Sequence, residues 1–179
     1  RVVHAVGDAP RVNVFLNDDL VLEDFDFRNS SGFVGVRPGT YDIRVEAIIP
    51  DADDLPVIEA DGVVLLSQEK TTVYATGTTS PLAIEPVLVE TPIDPVMAGM
   101  ARAAVVHASP AAQAIVSTVT VFVTAPGADI TASAPLGSFA FGETLGPVQV
   151  PAGDYQIRIA AGSGPAFTDA DVVFDAGTV

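Results

Sequence analysis

The chain has 179 residues, 49% of them hydrophobic and 17% charged, which is enough apolar material for a packed core and argues against disorder. Acids outnumber bases 23 to 8, and a net charge of −15 repels phosphate backbones and anionic lipid, setting nucleic-acid and membrane-surface binding aside. Cysteine is absent, so disulfides, thiolate metal sites and cysteine nucleophiles are excluded.

The chain opens on Arg1 within an apolar run and without a methionine, which reads as a mature or trimmed terminus. No apolar run reaches the ~18–20 residues of a membrane span. Val12, Val14 and Leu16 alternate with polar or outward residues, and Asn17-Asp18-Asp19 follows as a turn into Leu20-Val21-Leu22. Pro38-Gly39 is the next turn, where glycine supplies a positive φ that other residues resist. From Thr40 to Ala47 the period is two: Tyr41, Ile43, Val45 and Ala47 share one face, Asp42, Arg44 and Glu46 the other. That is a half-buried antiparallel strand. Residues Thr71 to Thr76 and Ala83 to Val89 are strand-like as well.

A linker over 91–101 follows, with two prolines and a glycine between Glu90 and Met100. Beyond it the sequence repeats itself. Val2-Val3-His4-Ala5 returns as Val105-Val106-His107-Ala108, and Val12-Asn13-Val14-Phe15-Leu16 as Val119-Thr120-Val121-Phe122-Val123. Phe25-Asp26-Phe27 returns as Phe139-Ala140-Phe141, and Pro38-Gly39-Thr40-Tyr41-Asp42-Ile43-Arg44-Val45 as Ala152-Gly153-Asp154-Tyr155-Gln156-Ile157-Arg158-Ile159. The second tyrosine strand places Tyr155, Ile157, Ile159 and Ala161 inward, with Gln156, Arg158 and Ala160 outward. The economical reading is two copies of one domain, residues 1–90 and 102–179. Short strands, frequent turn signals and the absence of any long 3.6-residue period predict an all-β chain. Its fold is then two tandem antiparallel β-sandwiches of immunoglobulin-like or transthyretin-like kind. The second copy has only eight residues after Asp171, whereas the first runs 29 beyond Asp61 to Glu90. It is therefore expected to lack C-terminal strands, either through trimming or as an open edge for strand pairing or dimerisation.

His4-Ala5-Val6-Gly7-Asp8-Ala9-Pro10, the Val12 strand and Val36-Arg37-Pro38-Gly39-Thr40-Tyr41 resemble the DUF4397 family of bacterial and archaeal proteins. So do His107-Ala108-Ser109-Pro110 and Val150-Pro151-Ala152-Gly153-Asp154-Tyr155 in the second copy. The first copy departs from the pattern at Val6-Gly7, where Ser-Pro is usual, and the second lacks the Asp-Ala-Pro continuation. The resemblance implies secreted or surface-anchored β-sandwiches, often in tandem, with no assigned function and no catalytic residues to carry over.

Several residues are candidates for chemistry. His4 and His107 are the only histidines and fall at equivalent positions. A metal or catalytic role needs an acid partner, which His4 finds in Asp8, while His107 has Ala111 there. The structural reading is a strand-end histidine bonded to the backbone of the following loop. Asp51, Asp53 and Asp54 could offer oxygens to calcium, although the spacing of a calcium-binding loop is absent and the second copy has Gly162-Ser163-Gly164 in that region. The alternative is a solvated acidic loop. Arg44 and Arg158 recur on the outward face of the tyrosine strand, as cross-strand ion pairs or as a ligand clamp. No Gly-x-Ser-x-Gly elbow, His-Glu-x-x-His or phosphate-binding glycine loop is present. The expectation is a non-enzymatic, extracytoplasmic binding or structural module without a cofactor, displayed at a cell surface toward a protein or glycan. A calcium-stabilised surface module is the alternative, and an enzyme the third reading.

Overall fold

The computed structural model describes residues 1–162 and 166–178. The expected all-β sandwich class holds: strands dominate, and the described helices are one short turn at Pro110–Gln113 and one 3-10 turn at Ile130–Ala132. The chain divides into two compact units, Arg1–Ile93 and Asp94–Val179.

In the first unit, β1 (Val2–His4), β2 (Val12–Leu16), β3 (Asp19–Phe25), β4 (Gly39–Ala47), β5 (Leu55–Leu65), β6 (Glu69–Thr79) and β7 (Leu82–Pro92) form two sheets. One has the order β3-β2-β4-β5 and is antiparallel throughout. The other has the order β1-β6-β7. Here an antiparallel expectation is corrected, because β1 runs parallel to β6, with Val2 opposite Val73 and His4 opposite Ala75. Period two on β4 emerges as read: Ile43, Val45 and Ala47 are buried while Asp42 is exposed. Val45 joins Val6, Val12, Val14, Ile58 and Ala75 in the core between the sheets.

Local chemistry sets the connections. Asn17 and Asp18 both take positive φ, 50° and 66°, the backbone of the two-residue hairpin turn that matches strand twist. Asn17 also accepts from the Asp42 N–H at 2.8 Å through its side chain, tying the turn to β4. Gly39 departs from expectation, since it does not adopt a left-handed φ. It opens β4 instead, and the Tyr41 ring passes 3.6 Å from where a Cβ would stand. A position that does demand glycine is Gly77 on β6, at φ 131°, where a Cβ would lie 1.9 Å from the Ala83 carbonyl oxygen.

The second unit contains β8 (Met100–Val106), α1 (Pro110–Gln113), β9 (Thr118–Thr124), β10 (Gly137–Ala140), β11 (Thr144–Pro151), β12 (Gly153–Ala160) and β13 (Ala166–Phe174). Its sheets are β10-β9-β12-β13 and β11-β8, closed over Val119, Val121 and Phe139 with Val105, Leu145, Ile157 and Ile159. The outward assignment of Ala160 is corrected: Ala160 is fully buried and Ala161 exposed. The register shift beside Ala160 lies on the β13 side, and against β9 the pairing is unbroken, so Ala160 keeps its alternating place opposite Thr120 on a face that is covered there, Thr120 and Phe122 being buried too. Among the described residues no strand of this unit occupies the positions that β6 and β7 hold in the first. Gly177 and Arg102 instead make backbone bonds that lay the last described residues along β8, from Gly177 N–H to Met100 O and from Arg102 N–H to Thr178 O.

The expected linker over 91–101 is shorter than read. Thr91 and Pro92 finish β7 opposite Lys70 and Glu69, and Met100 opens β8 opposite Pro151. Between them the Ile93 N–H donates to Gln68 O, and the Met97 N–H to the Gln149 side-chain oxygen.

Candidate functional site

Both histidines sit at the end of an edge strand's apolar run, and each serves the loop that follows. His4 is 2% exposed; its Nδ1 accepts from the Val6 N–H at 3.4 Å, and its Nε2 lies 3.2 Å from the Pro10 carbonyl. With Nδ1 accepting, the ring proton belongs on Nε2 and donates to Pro10. One imidazole thereby closes the loop from His4 to Pro10. Asp8 does not turn to His4 but accepts from both the hydroxyl and the N–H of Thr79, at 2.7 and 3.1 Å, and these bonds hold its carboxyl below the usual carboxylate range. His107 repeats the pattern, its Nδ1 accepting from the Ser109 N–H at 3.3 Å. Its Nε2 is buried without a hydrogen-bond partner, and burial lowers its pKa from the ordinary value of 6.5. The aromatic neighbours are equivalent too: Phe27 meets His4 edge-on, as Phe139 and Phe141 meet His107.

Asp51, Asp53 and Asp54 are exposed between β4 and β5, and Asp54 accepts from the Asn13 amide at 3.1 Å. Among the described residues no three or more His, Cys, Asp or Glu side chains are grouped to hold a metal ion. The comparison with Ser163 and Gly164 lies outside the described residues.

Arg44 pairs with Glu46 two positions along its own strand and with Asp18 of the β2–β3 turn at 3.4 Å, rather than with an acid on a neighbouring strand. Its guanidinium lies 4.2 Å over the Phe15 ring, the residue opposite it on β2. Arg158 stands opposite Phe122 on β9 in the same register and donates to the Thr124 hydroxyl. Its charge also helps to lower the pKa of Asp129, after the two hydrogen bonds from Thr131.

What the sequence reading did not find is a cavity of about 450 Å³ in the first unit. Both sheets contribute to it, through Val14, Leu16 and Ile43 on one side and Val2 and Val73 on the other, and the segment 31–38 borders it. Its volume falls in the ~300–1,000 Å³ range of small-molecule sites. Several apolar lining residues reach solvent at its mouth: Val21 is 40% exposed, Phe33 43%, Val34 58%, Val36 43% and Leu66 52%. Three cations, Arg1, Arg37 and Lys70, share the lining with one acid, Glu69. The signal in the sequence was Phe33-Val34-Gly35-Val36, an apolar stretch without strand alternation.

No curated protein matches this chain. Residues 1–118 match DUF4397, a domain of unknown function, and the match spans the first unit and continues through β8 and α1. With about two thirds of its length matched, the chain belongs to the DUF4397 family.

Proposed function

We propose that the protein is a non-catalytic binding module that works outside the cytoplasm and receives an apolar group of its partner in the cavity of the first unit. The cavity carries this reading: an aliphatic recess with an exposed apolar rim on a chain whose other surfaces are strongly acidic. Its walls suit an aliphatic or aromatic group. Against Val14, Ile43 and Val73 a glycan would bring hydroxyls to side chains that cannot replace their water. The two histidines support a non-catalytic reading, since their Nδ1 atoms are engaged by loop backbone and Asp8 is bonded to Thr79. Acidity and the family resemblance support an extracytoplasmic setting.

The test uses a neutral solvatochromic dye, N-phenyl-1-naphthylamine. Wild-type protein is expected to enhance and blue-shift its emission, and Val21→Trp, which fills the mouth with an indole, to abolish the effect. Absence of enhancement with wild type, or an unchanged signal in the variant, overturns the reading.

A further inference from the structure

The charge around this cavity is the reverse of the charge of the chain. Only 8 of 179 residues are basic and the net charge is −15, yet Arg1, Arg37 and Lys70 all line this one recess, with Glu69 as the single acid. Elsewhere in the same unit, Arg11 and Arg44 are neutralised by ion pairs to Asp24, Asp26, Asp18 and Glu46, while Arg28, outside the cavity, lies over the Phe27 ring. Among the described residues Arg1, Arg37 and Lys70 have no such pair within 4.0 Å, although acids are in threefold excess. Arg1 and Lys70 lie instead over the Phe33 ring, 4.6 and 5.1 Å from its centre, an arrangement that holds cations at the mouth without cancelling them. Among the described residues the Nε of Arg1 and one carboxylate oxygen of Glu69 are both buried at this recess without a partner, a donor and an acceptor that the protein leaves unmatched.

We infer that the cavity binds a free amphipathic anion, a long-chain carboxylate, with its tail between the sheets and its head among Arg37, Lys70 and Arg1. The inference rests on the cavity being the binding site proposed above. Aliphatic walls account for the tail and unpaired guanidinium and ammonium groups for the head, since an ionised acceptor makes the stronger hydrogen bonds. A peptide carboxylate suits the site less well, because its amides would enter an aliphatic wall without partners. An anionic membrane would meet the repulsion of the whole chain, whose net charge is −15.

Decanoate and decanol, both kept below the concentration at which they aggregate, are compared as competitors of the neutral dye. Decanoate is expected to displace it at about tenfold lower concentration than decanol, as a charge-assisted hydrogen bond predicts. The Arg37→Gln/Lys70→Gln double variant is expected to make the two competitors equal. In wild type, salt at about 0.5 M is expected to shrink the preference, since screening then acts within a few ångströms at an open mouth. Vesicles of anionic phospholipid are expected not to co-sediment with the protein. Equal competition in wild type, a preference that survives the double variant, or one indifferent to salt overturns the carboxylate while leaving cavity binding intact. Co-sedimentation with vesicles overturns the free ligand in favour of a lipid surface. Failure of the dye itself to bind overturns the underlying function.

Discussion

The hydroxyl of Tyr41 donates to the carbonyl oxygen of Arg37 at 2.8 Å, and Tyr155 repeats the bond to Pro151 at 3.0 Å. Each is a tyrosine corner, in which a strand's first inward ring reaches back four residues and pins the chain that enters it. In the first unit the pinned residue is Arg37, one of the cavity's cations, so the motif that starts β4 also positions the mouth. Tyr41→Phe and Tyr155→Phe are each expected to lower stability by about 1 kcal/mol, the net worth of one hydrogen bond, read from denaturant midpoints. Only Tyr41→Phe is expected to weaken the preference for decanoate over decanol.

His4→Leu leaves the Val6 N–H, which is buried, and the Pro10 carbonyl, which is partly buried, without their side-chain partner. Each orphaned group costs about 1–3 kcal/mol, so this variant is expected to be among the most destabilised single changes in the first unit. Thermal melting checks it, and a loss of less than about 1 kcal/mol would show that the loop holds itself.

The second histidine supplies a pH dependence. Because burial lowers the pKa of His107 below the ordinary 6.5, the unfolded chain takes up the proton first as pH falls. Its contribution is therefore fully present above pH 6.5 and is lost as pH drops through the lowered folded value. Melting temperature is expected to fall on acidification below pH 6.5 and to fall less in His107→Asn, which retains a side-chain acceptor for the Ser109 N–H. Parallel curves for the two proteins would count against the assignment.

Gly77→Ala places a methyl group on the Ala83 carbonyl at a φ that alanine resists. A destabilisation of at least about 2 kcal/mol is expected, with the β6–β7 pair the first to lose amide protection in hydrogen exchange. Gly35→Ala is the control, since a Cβ there meets nothing within 4 Å, and a change within about 0.5 kcal/mol is expected.

Calcium titration is expected to release no heat, and chelator to leave the melting temperature unchanged, because Asp51, Asp53 and Asp54 are solvated and ungrouped. A calcium-dependent rise in melting temperature that Asp53→Asn abolishes would establish the acidic loop as a cation site instead.

Features set by short stretches of chain could be read from the residues alone. Alternation from Tyr41 to Ala47 named the buried face of β4 because successive side chains of a strand must point to opposite sides. Asn17-Asp18 named the hairpin for the same kind of reason, as both residues tolerate the positive φ that a two-residue turn requires. Alternation held at Ala160 as well, but its burial could not be read locally, because the face it shares with Thr120 and Phe122 is covered by the packed chain.

Tertiary packing decided the rest. Nothing in Val2-Val3-His4 tells a parallel partner from an antiparallel one, since the choice depends on where β6 lies after the 64 residues, 5–68, that intervene. The cavity is of the same kind: Arg1, Arg37 and Lys70 are far apart in sequence, and each alone is an ordinary surface cation. Composition shows an acidic chain short of bases but not where those bases gather. Folding two sheets over one core brought three of them to a single apolar mouth, because charge position, unlike charge count, is a property of the packed chain.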